Sequence, residues 1–356
     1  MKLPELVVKN FRLRNCIFQG GMGIGVSLAP LAEAVAREGG GGIISSAGLS
    51  DIVSLRDGKS VNTYEAVRIE IEKAKSMSDG GAICINIMCA IINDYEATVK
   101  AAIDEGAAAI ISGGGLPLGL PGICPSRDTA LIPIVSSARA LEAVVKRWER
   151  DHYQPDAAVL EGPLAGGHLG FKFGEINDPA FQLEKLLPSV LEVADKHGGF
   201  PIIVAGGVYT HDDIIQFLAM GASGVQMGTR FLVTEESSAT KEYKDAVIAA
   251  GKDDITVVSY PDSIPSSPCG LPFRILTTSP AYEKAKYRIP KCTRGYVLRP
   301  GHICRAMSNK YLCVCEELLS SAGYAEKLPL YTVGTNAALV DRVISVHELM
   351  HELCSE

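Results

Sequence analysis

The feature that most constrains the fold is a series of eight short apolar stretches within the first 230 residues, at 16–18, 42–45, 83–87, 108–111, 132–135, 157–160, 202–205 and 224–227. Each is rich in Ile, Val or Ala and lacks strict apolar–polar alternation, the pattern of a strand buried on both faces of a parallel sheet. Between them lie segments of helical period. Residues 28–38 place Leu28, Leu31, Ala32, Val35 and Ala36 on one face, and 64–75, 95–104, 138–149, 181–196 and 212–220 behave alike. Strand alternating with helix gives a doubly wound sheet or a closed barrel. Eight units favour the α/β class and the (β/α)8 TIM barrel, whose site lies at the C-terminal ends of the strands.

The chain of 356 residues suits a barrel plus an appendage, and 47% hydrophobic content supplies a large core. A net charge of −7 and a pI near 5.6 argue against a nucleic-acid surface, which needs a basic face. No apolar run approaches the roughly 20 residues needed to cross a bilayer, and the charged N-terminus lacks the apolar segment of a signal peptide. The expected location is the cytoplasm.

Glycine and small polar residues gather after the strands. Gln19-Gly20-Gly21-Met22-Gly23 follows the first, Asn86 falls near the end of the third, and Ser112-Gly113-Gly114-Gly115 follows the fourth. After the sixth comes Glu161-Gly162-Pro163-Leu164-Ala165-Gly166-Gly167-His168, a loop whose glycines permit close backbone approach to a flat or charged group. His168 is its central titratable side chain, and the plainer explanation is a histidine that bonds its own loop. Gly206-Gly207 and Gly228-Thr229 follow the seventh and eighth strands, where such barrels often hold a phosphate on backbone N–H groups. A single glycine pair means only a tight turn; two in consecutive loops favour phosphate binding.

Beyond Phe231 the pattern changes. Residues 235–250 read as a helix and 255–260 as a strand, followed by seven prolines between Pro261 and Pro300. An irregular stretch of ~80 residues is too long for a plain connection and reads as a lid over the barrel mouth. Helical period resumes at 316, and 340–353 reads as a closing helix. The expected division is a barrel core at 1–235, a lid at 236–325 and a C-terminal segment at 326–356 that packs back on the barrel.

The Gln-Gly-Gly-Met-Gly loop, Asn86, Ala165-Gly166-Gly167-His168, Ala205-Gly206-Gly207-Val208 and Met227-Gly228-Thr229-Arg230 occur in the order seen in the nitronate monooxygenase family. The chain resembles that family, which includes the flavin-dependent enoyl-ACP reductases, over about residues 10–235 and again near Tyr331-Thr332-Val333-Gly334. The resemblance implies a TIM barrel that holds FMN at its mouth. Gly206, Gly207, Gly228 and Thr229 would hold the phosphate, and Gly21, Met22, Gly23, Asn86, Glu161, Gly167 and Met227 would line the flavin. His168 would be the acid/base residue, consistent with an imidazole that takes or gives a proton near neutral pH.

The chain departs from the monooxygenase pattern at Leu164, where an acidic residue is common, and at Ser136-Ser137, where a lysine is common. Glu161-Gly162 is similar to the enoyl-ACP reductase branch. The expected activity is nitronate oxidation with O2 through the flavin. The alternative is NAD(P)H-dependent enoyl-ACP reduction, with an acyl carrier protein meeting Lys284, Lys286, Arg288, Lys291, Arg294 and Arg299. A solvated face is the plainer explanation of that basic run. A barrel that binds a phosphorylated metabolite without redox chemistry is the second alternative, and a homodimer is a further possible assembly.

Five of the ten cysteines, Cys269, Cys292, Cys304, Cys313 and Cys315, fall in the lid. An iron–sulfur cluster or zinc is conceivable there, but no Cys-x2-Cys pair occurs. Reduced structural cysteines are the expectation, and no metal ligand is assigned.

Overall fold

The computed structural model describes residues 2–124, 128–259, 262–263, 265–268, 270–285, 294–296 and 311–355. A short antiparallel hairpin, β1 (Leu6–Val8) and β2 (Phe11–Leu13), precedes the barrel. Its turn residue Lys9 bonds the Thr129 carbonyl at 3.1 Å and Asp156 at 3.2 Å, which fastens the hairpin to the strands above it.

The barrel strands are β3 (Ile17–Gln19), β4 (Gly42–Ser45), β5 (Ile83–Met88), β6 (Ala109–Gly113), β7 (Ala130–Val135), β8 (Ala158–Glu161), β10 (Ile202–Ala205) and β11 (Gly224–Met227). They run parallel in the order β3-β11-β10-β8-β7-β6-β5-β4. A parallel bridge between Phe18 and Gly41 joins the two ends and closes the ring. This is the expected TIM barrel, with every sequence-derived strand present within two residues of its expected ends.

Helices α1 (Ala29–Arg37), α2 (Leu49–Asp57), α3 (Thr63–Met77), α4 (Ile92–Asp104), α5 (Leu120–Ile123), α6 (Ala138–Trp148), α7 (Leu183–Lys196) and α8 (His211–Ala219) surround the strands. α6 shows why such segments fold as they do. Ser137 accepts the Ala140 N–H as N-cap, Lys146 and Arg147 sit in the last turn, and Leu141, Val144, Val145 and Trp148 form the buried face. The helices lie so close to the strands that a Cβ at Gly42 would stand 1.8 Å from the Ala32 carbonyl oxygen of α1.

After β11 come α9 (Thr229–Leu232) and α10 (Lys241–Ile248). The helix expected over 235–250 starts only at Lys241. The preceding backbone donors are taken by tertiary partners, Glu235 N–H by the Ile344 carbonyl at 3.0 Å and Ser238 N–H by that of Val26 at 3.1 Å. Thr240 then caps the helix. The strand expected over 255–260 is β12 (Ile255–Val258); Tyr260 lies outside the described residues.

β12 pairs antiparallel with β13 (Phe273–Leu276), and β13 pairs with a two-residue strand, β9 (Gly167–His168), in the loop after β8. The register sets Phe273 opposite His168 and Arg274 opposite Gly167. The post-barrel segment therefore grips the barrel mouth at the glycine-rich loop. α11 (Pro280–Lys284), α12 (Glu316–Ser321) and α13 (Val346–Cys354) complete the described helices. α13 buries Val346, Leu349, Met350 and Leu353 and packs on α1, α8 and α9. Among the described residues no helix is long and apolar enough to cross a membrane.

Candidate active site

The C-terminal ends of the barrel strands enclose a cavity of about 480 Å³, within the ~300–1,000 Å³ range of ligand pockets. Every site residue singled out from the sequence, from Gly21 to Thr229, lines it. On the floor, the ladder aligns Glu161 of β8 with Ala205 of β10, and Ala205 with Gln226 of β11. Partners across a parallel ladder point the same way, so Glu161 and Gln226 flank the small Ala205 at one level. Gln226 is buried and its Oε1 has no hydrogen-bond partner among the described residues.

Opposite, Gly21 lies against Asn86 so closely that a Cβ would meet Asn86 Cβ at 2.3 Å. The Asn86 amide donates to the Ile111 carbonyl at 3.3 Å, which holds its side chain in place at the wall. At one end of the cavity Gly206 and Gly207 take φ of +92° and +90°, a region that favours glycine. Gly228 is the N-cap of α9 and Thr229 its first residue, so their N–H groups have no partner within the helix. The Gly334 N–H donates to Thr229 Oγ1 at 2.9 Å and orients that hydroxyl. The glycine loops after β10 and β11 thus bring backbone N–H groups together at one end of the cavity.

His168 is held from outside the barrel. The Leu169 N–H donates to the Pro272 carbonyl at 2.9 Å, and the Phe273 ring lies 4.5 Å from the imidazole, centroid to centroid. Ser267 Oγ stands 2.9 Å from His168 Nε2. Enclosure by protein pushes the imidazole down to about 4, so the ring is neutral at neutral pH. The same effect pushes the Glu161 carboxyl up to about 7, close to half protonated there.

The loop carrying His168 is braced by Arg274, which is buried in β13. Its guanidinium donates to the Pro163 carbonyl at 2.7 Å and to that of Ala165. The Thr335 N–H donates to the intervening Leu164 carbonyl at 3.1 Å. Three successive carbonyls are therefore turned toward the post-barrel segments. Burial lowers the arginine to about 10, so it stays charged at neutral pH.

Sequence reasoning does not reach Ser267, Arg274 or Gln226 as site residues. Two of them carry a signal: Arg274 interrupts the apolar Phe-Arg-Ile-Leu run, and Gln226 interrupts Gly-Val-Gln-Met. A polar residue inside a strand buried on both faces needs a partner or a ligand. Ser267 carries none.

Of the basic run, Lys284 is exposed, but Arg294 turns inward to pair with Asp51 at 2.8 Å; Lys286, Arg288, Lys291 and Arg299 lie outside the described residues. Of the lid cysteines, Cys313 and Cys315 are buried, and Cys269, Cys292 and Cys304 lie outside the described residues. Among the described residues no group of three or more metal-ligating side chains is present.

The model of the nitronate monooxygenase family matches residues 5–356. A (3aS,4S,5R,7aS)-5-hydroxy-7a-methyl-1-oxo-octahydro-1H-indene-4-carboxyl-CoA dehydrogenase of Rhodococcus jostii (strain RHA1) is 29% identical over 276 residues, 78% of this chain and 65% of the relative. A probable nitronate monooxygenase of Staphylococcus haemolyticus (strain JCSC1435) is 33% identical over 130 residues, 36% of this chain and 34% of that one. The aligned part thus spans about two thirds of the first relative and one third of the second. FabK of Thermotoga maritima superposes with a TM-score of 0.70 at 23% identity, covering 96% of this chain and 92% of that one. The nitroalkane oxidase of Streptomyces ansochromogenes does so with 0.68 at 20% identity, covering 96% and 95%. Both structures bear on the fold.

Proposed function

The chain belongs to the nitronate monooxygenase family, and from that premise we propose that it is an FMN-dependent oxidoreductase with His168 as its acid/base residue. The carrying observation is that one cavity brings together an end lined by backbone N–H groups, a buried amide oxygen without a partner among the described residues and a neutral imidazole. FMN fits this set: a phosphate suits the donors, and the N–H edge of a flat ring system suits Gln226 Oε1. Gly206, Gly207, Gly228 and Thr229 would hold the phosphate. Gly21, Met22, Gly23, Asn86, Glu161, Gly167 and Met227 would line the ring system. Bound FMN supplies the electron chemistry, and the chain supplies position, polarity and proton handling.

The substrate read first is a nitronate, oxidised with O2 to a carbonyl compound and nitrite. An imidazole that protonates only near 4 is a weak base, poorly suited to pulling a proton from a neutral nitroalkane. It suits an already ionised nitronate better, since a neutral ring can donate a hydrogen bond to the anionic nitro group. A second reading, reduction of an activated double bond in an acyl thioester, is favoured by Glu161. Such a reduction needs a proton at the carbon next to the carbonyl, and a cavity-lining carboxyl raised to about 7 can hold one. The Rhodococcus relative, whose name is that of a carboxyl-CoA dehydrogenase, supports a thioester as substrate class.

The purified protein should show flavin absorption, alone or after FMN is added. Under argon, a nitronate should bleach it. Bleaching by NADH or NADPH but not by nitronate would move the assignment to the reductase. No flavin binding at all would leave the non-redox phosphate-binding barrel. The His168→Ala variant should keep its flavin and lose about 10²–10⁴-fold in turnover; unchanged turnover would return His168 to a loop-bonding role.

A further inference from the structure

We propose that Ser267 is a positioning residue for His168, holding the ring by Nε2 so that Nδ1 is the nitrogen that meets the substrate. The inference rests on the oxidoreductase reading above for its catalytic half and on geometry alone for its structural half. Ser267 Oγ is 2.9 Å from His168 Nε2, and Ser267 itself is fully buried. His168 lines the cavity, whereas Ser267 stands behind it. Among the described residues Nδ1 has no partner, so it is the ring nitrogen left for a ligand.

The ring has little freedom to exchange the two nitrogens. Phe273 covers it at 4.5 Å, and its backbone is fixed on both sides, by the pairing of β9 with β13 and by Leu169 N–H on the Pro272 carbonyl. A flip would carry Nδ1 towards the buried Ser267 and break the one bond that the ring makes. In a neutral imidazole one nitrogen carries the proton and the other accepts. Because a hydroxyl can donate to Nε2 or accept from it, the bond couples the ring's tautomer to the orientation of the Ser267 O–H, and that orientation decides whether Nδ1 meets the substrate as donor or as acceptor. A ring free to adopt either tautomer spends part of its time in the wrong one, which lowers the rate without weakening substrate binding.

Three proteins, the wild type, Ser267→Ala and Ser267→Thr, labelled with 15N-histidine and loaded with FMN, test this. The resonances of His168 are identified by their loss in His168→Ala. The wild-type ring should show one neutral tautomer, with Ser267→Ala showing a mixture and Ser267→Thr returning to one. In the same set, kcat should fall about tenfold in Ser267→Ala with KM and flavin affinity within about twofold of wild type, and Ser267→Thr should recover most of the rate. Identical imidazole spectra in wild type and Ser267→Ala would overturn the proposal. So would a changed tautomer with unchanged kcat, which would make the bond purely structural. Should the protein bind no flavin, the oxidoreductase reading fails by itself, and the imidazole spectra still decide whether Ser267 sets the ring.

Discussion

At the residue scale, His168 and Glu161 share a cavity wall and respond to burial in opposite directions, and this has a consequence for stability. His168 falls from 6.5 to about 4, so between those values the unfolded chain binds more protons than the folded one. The stability associated with its neutral ring is present above pH 6.5 and is lost as pH falls through 4. Glu161 rises from 4.5 to about 7, so the folded chain binds the extra proton. Its contribution is present below pH 4.5 and is lost as pH rises through 7. Both side chains are partly exposed to the cavity, so each effect is on the order of 1–3 kcal/mol. Between 4.5 and 6.5 the two slopes oppose each other. Thermal unfolding of flavin-free protein across this window should show it by difference from wild type. In His168→Gln the midpoint should drop as pH rises, and in Glu161→Gln it should drop as pH falls. Curves parallel to wild type in both variants would show that neither group is desolvated as the cavity geometry implies. The identities of these two residues were legible in the sequence, His168 as the central titratable side chain of a glycine-rich loop and Glu161 at the start of that loop through the family resemblance. Their protonation states were not, since these depend on walls contributed by distant segments.

At the element scale, the barrel strands were legible because burial on both faces leaves a local composition that needs no partner to be recognised. β9 was not. Two residues, Gly167 (φ +71°) and His168, carry no strand pattern and join a sheet only because β13, more than 100 residues later, pairs with them. The same holds for the brace behind them. Arg274 is a buried cation whose described partners are carbonyl groups, and burying that charge is itself unfavourable. Replacing it therefore has two opposed effects. Arg274→Met removes the desolvated charge but leaves the Pro163 and Ala165 carbonyls without their donor, at ~1–3 kcal/mol for each unmet group. We expect the loss to prevail, with a net destabilisation of about 2–4 kcal/mol from urea unfolding and a lower urea midpoint. Arg274→Lys keeps the charge but not the fork geometry, and should fall between the two. Protease cleavage within 162–168 should become faster in both variants. Equal stability and equal cleavage in Arg274→Met would show that the loop holds its shape without the brace.

At the scale of the whole molecule, the sequence pattern divides at 235 and 325, but packing does not respect such borders. The largest core cluster joins strand residues such as Ile17 and Val225 to Ala281, Leu312, Leu319, Leu330 and the α13 face. α13 also pairs Glu352 with Arg230 of α9 at 2.5 Å and His347 with Glu38 at 3.0 Å. It therefore packs beside the short helix whose first residues line the cavity. Ending the chain at residue 344 would remove Val346, Leu349, Met350 and Leu353 and uncover the faces of α1, α8 and α9 on which they pack. At roughly 1.5–3 kcal/mol for each buried side chain, their joint loss rivals the whole stability of a typical domain, about 5–15 kcal/mol. The shortened chain should be insoluble or should unfold without a cooperative transition. Leu349→Ala is the milder version, with an expected loss of about 2–5 kcal/mol and weakened FMN binding, because α13 supports α9. A soluble 1–344 chain with the wild-type unfolding midpoint and wild-type FMN affinity would mean that the barrel is stable alone. The C-terminal segment would then be an attachment, and the continuity of the core across residue 235 would carry no energetic weight.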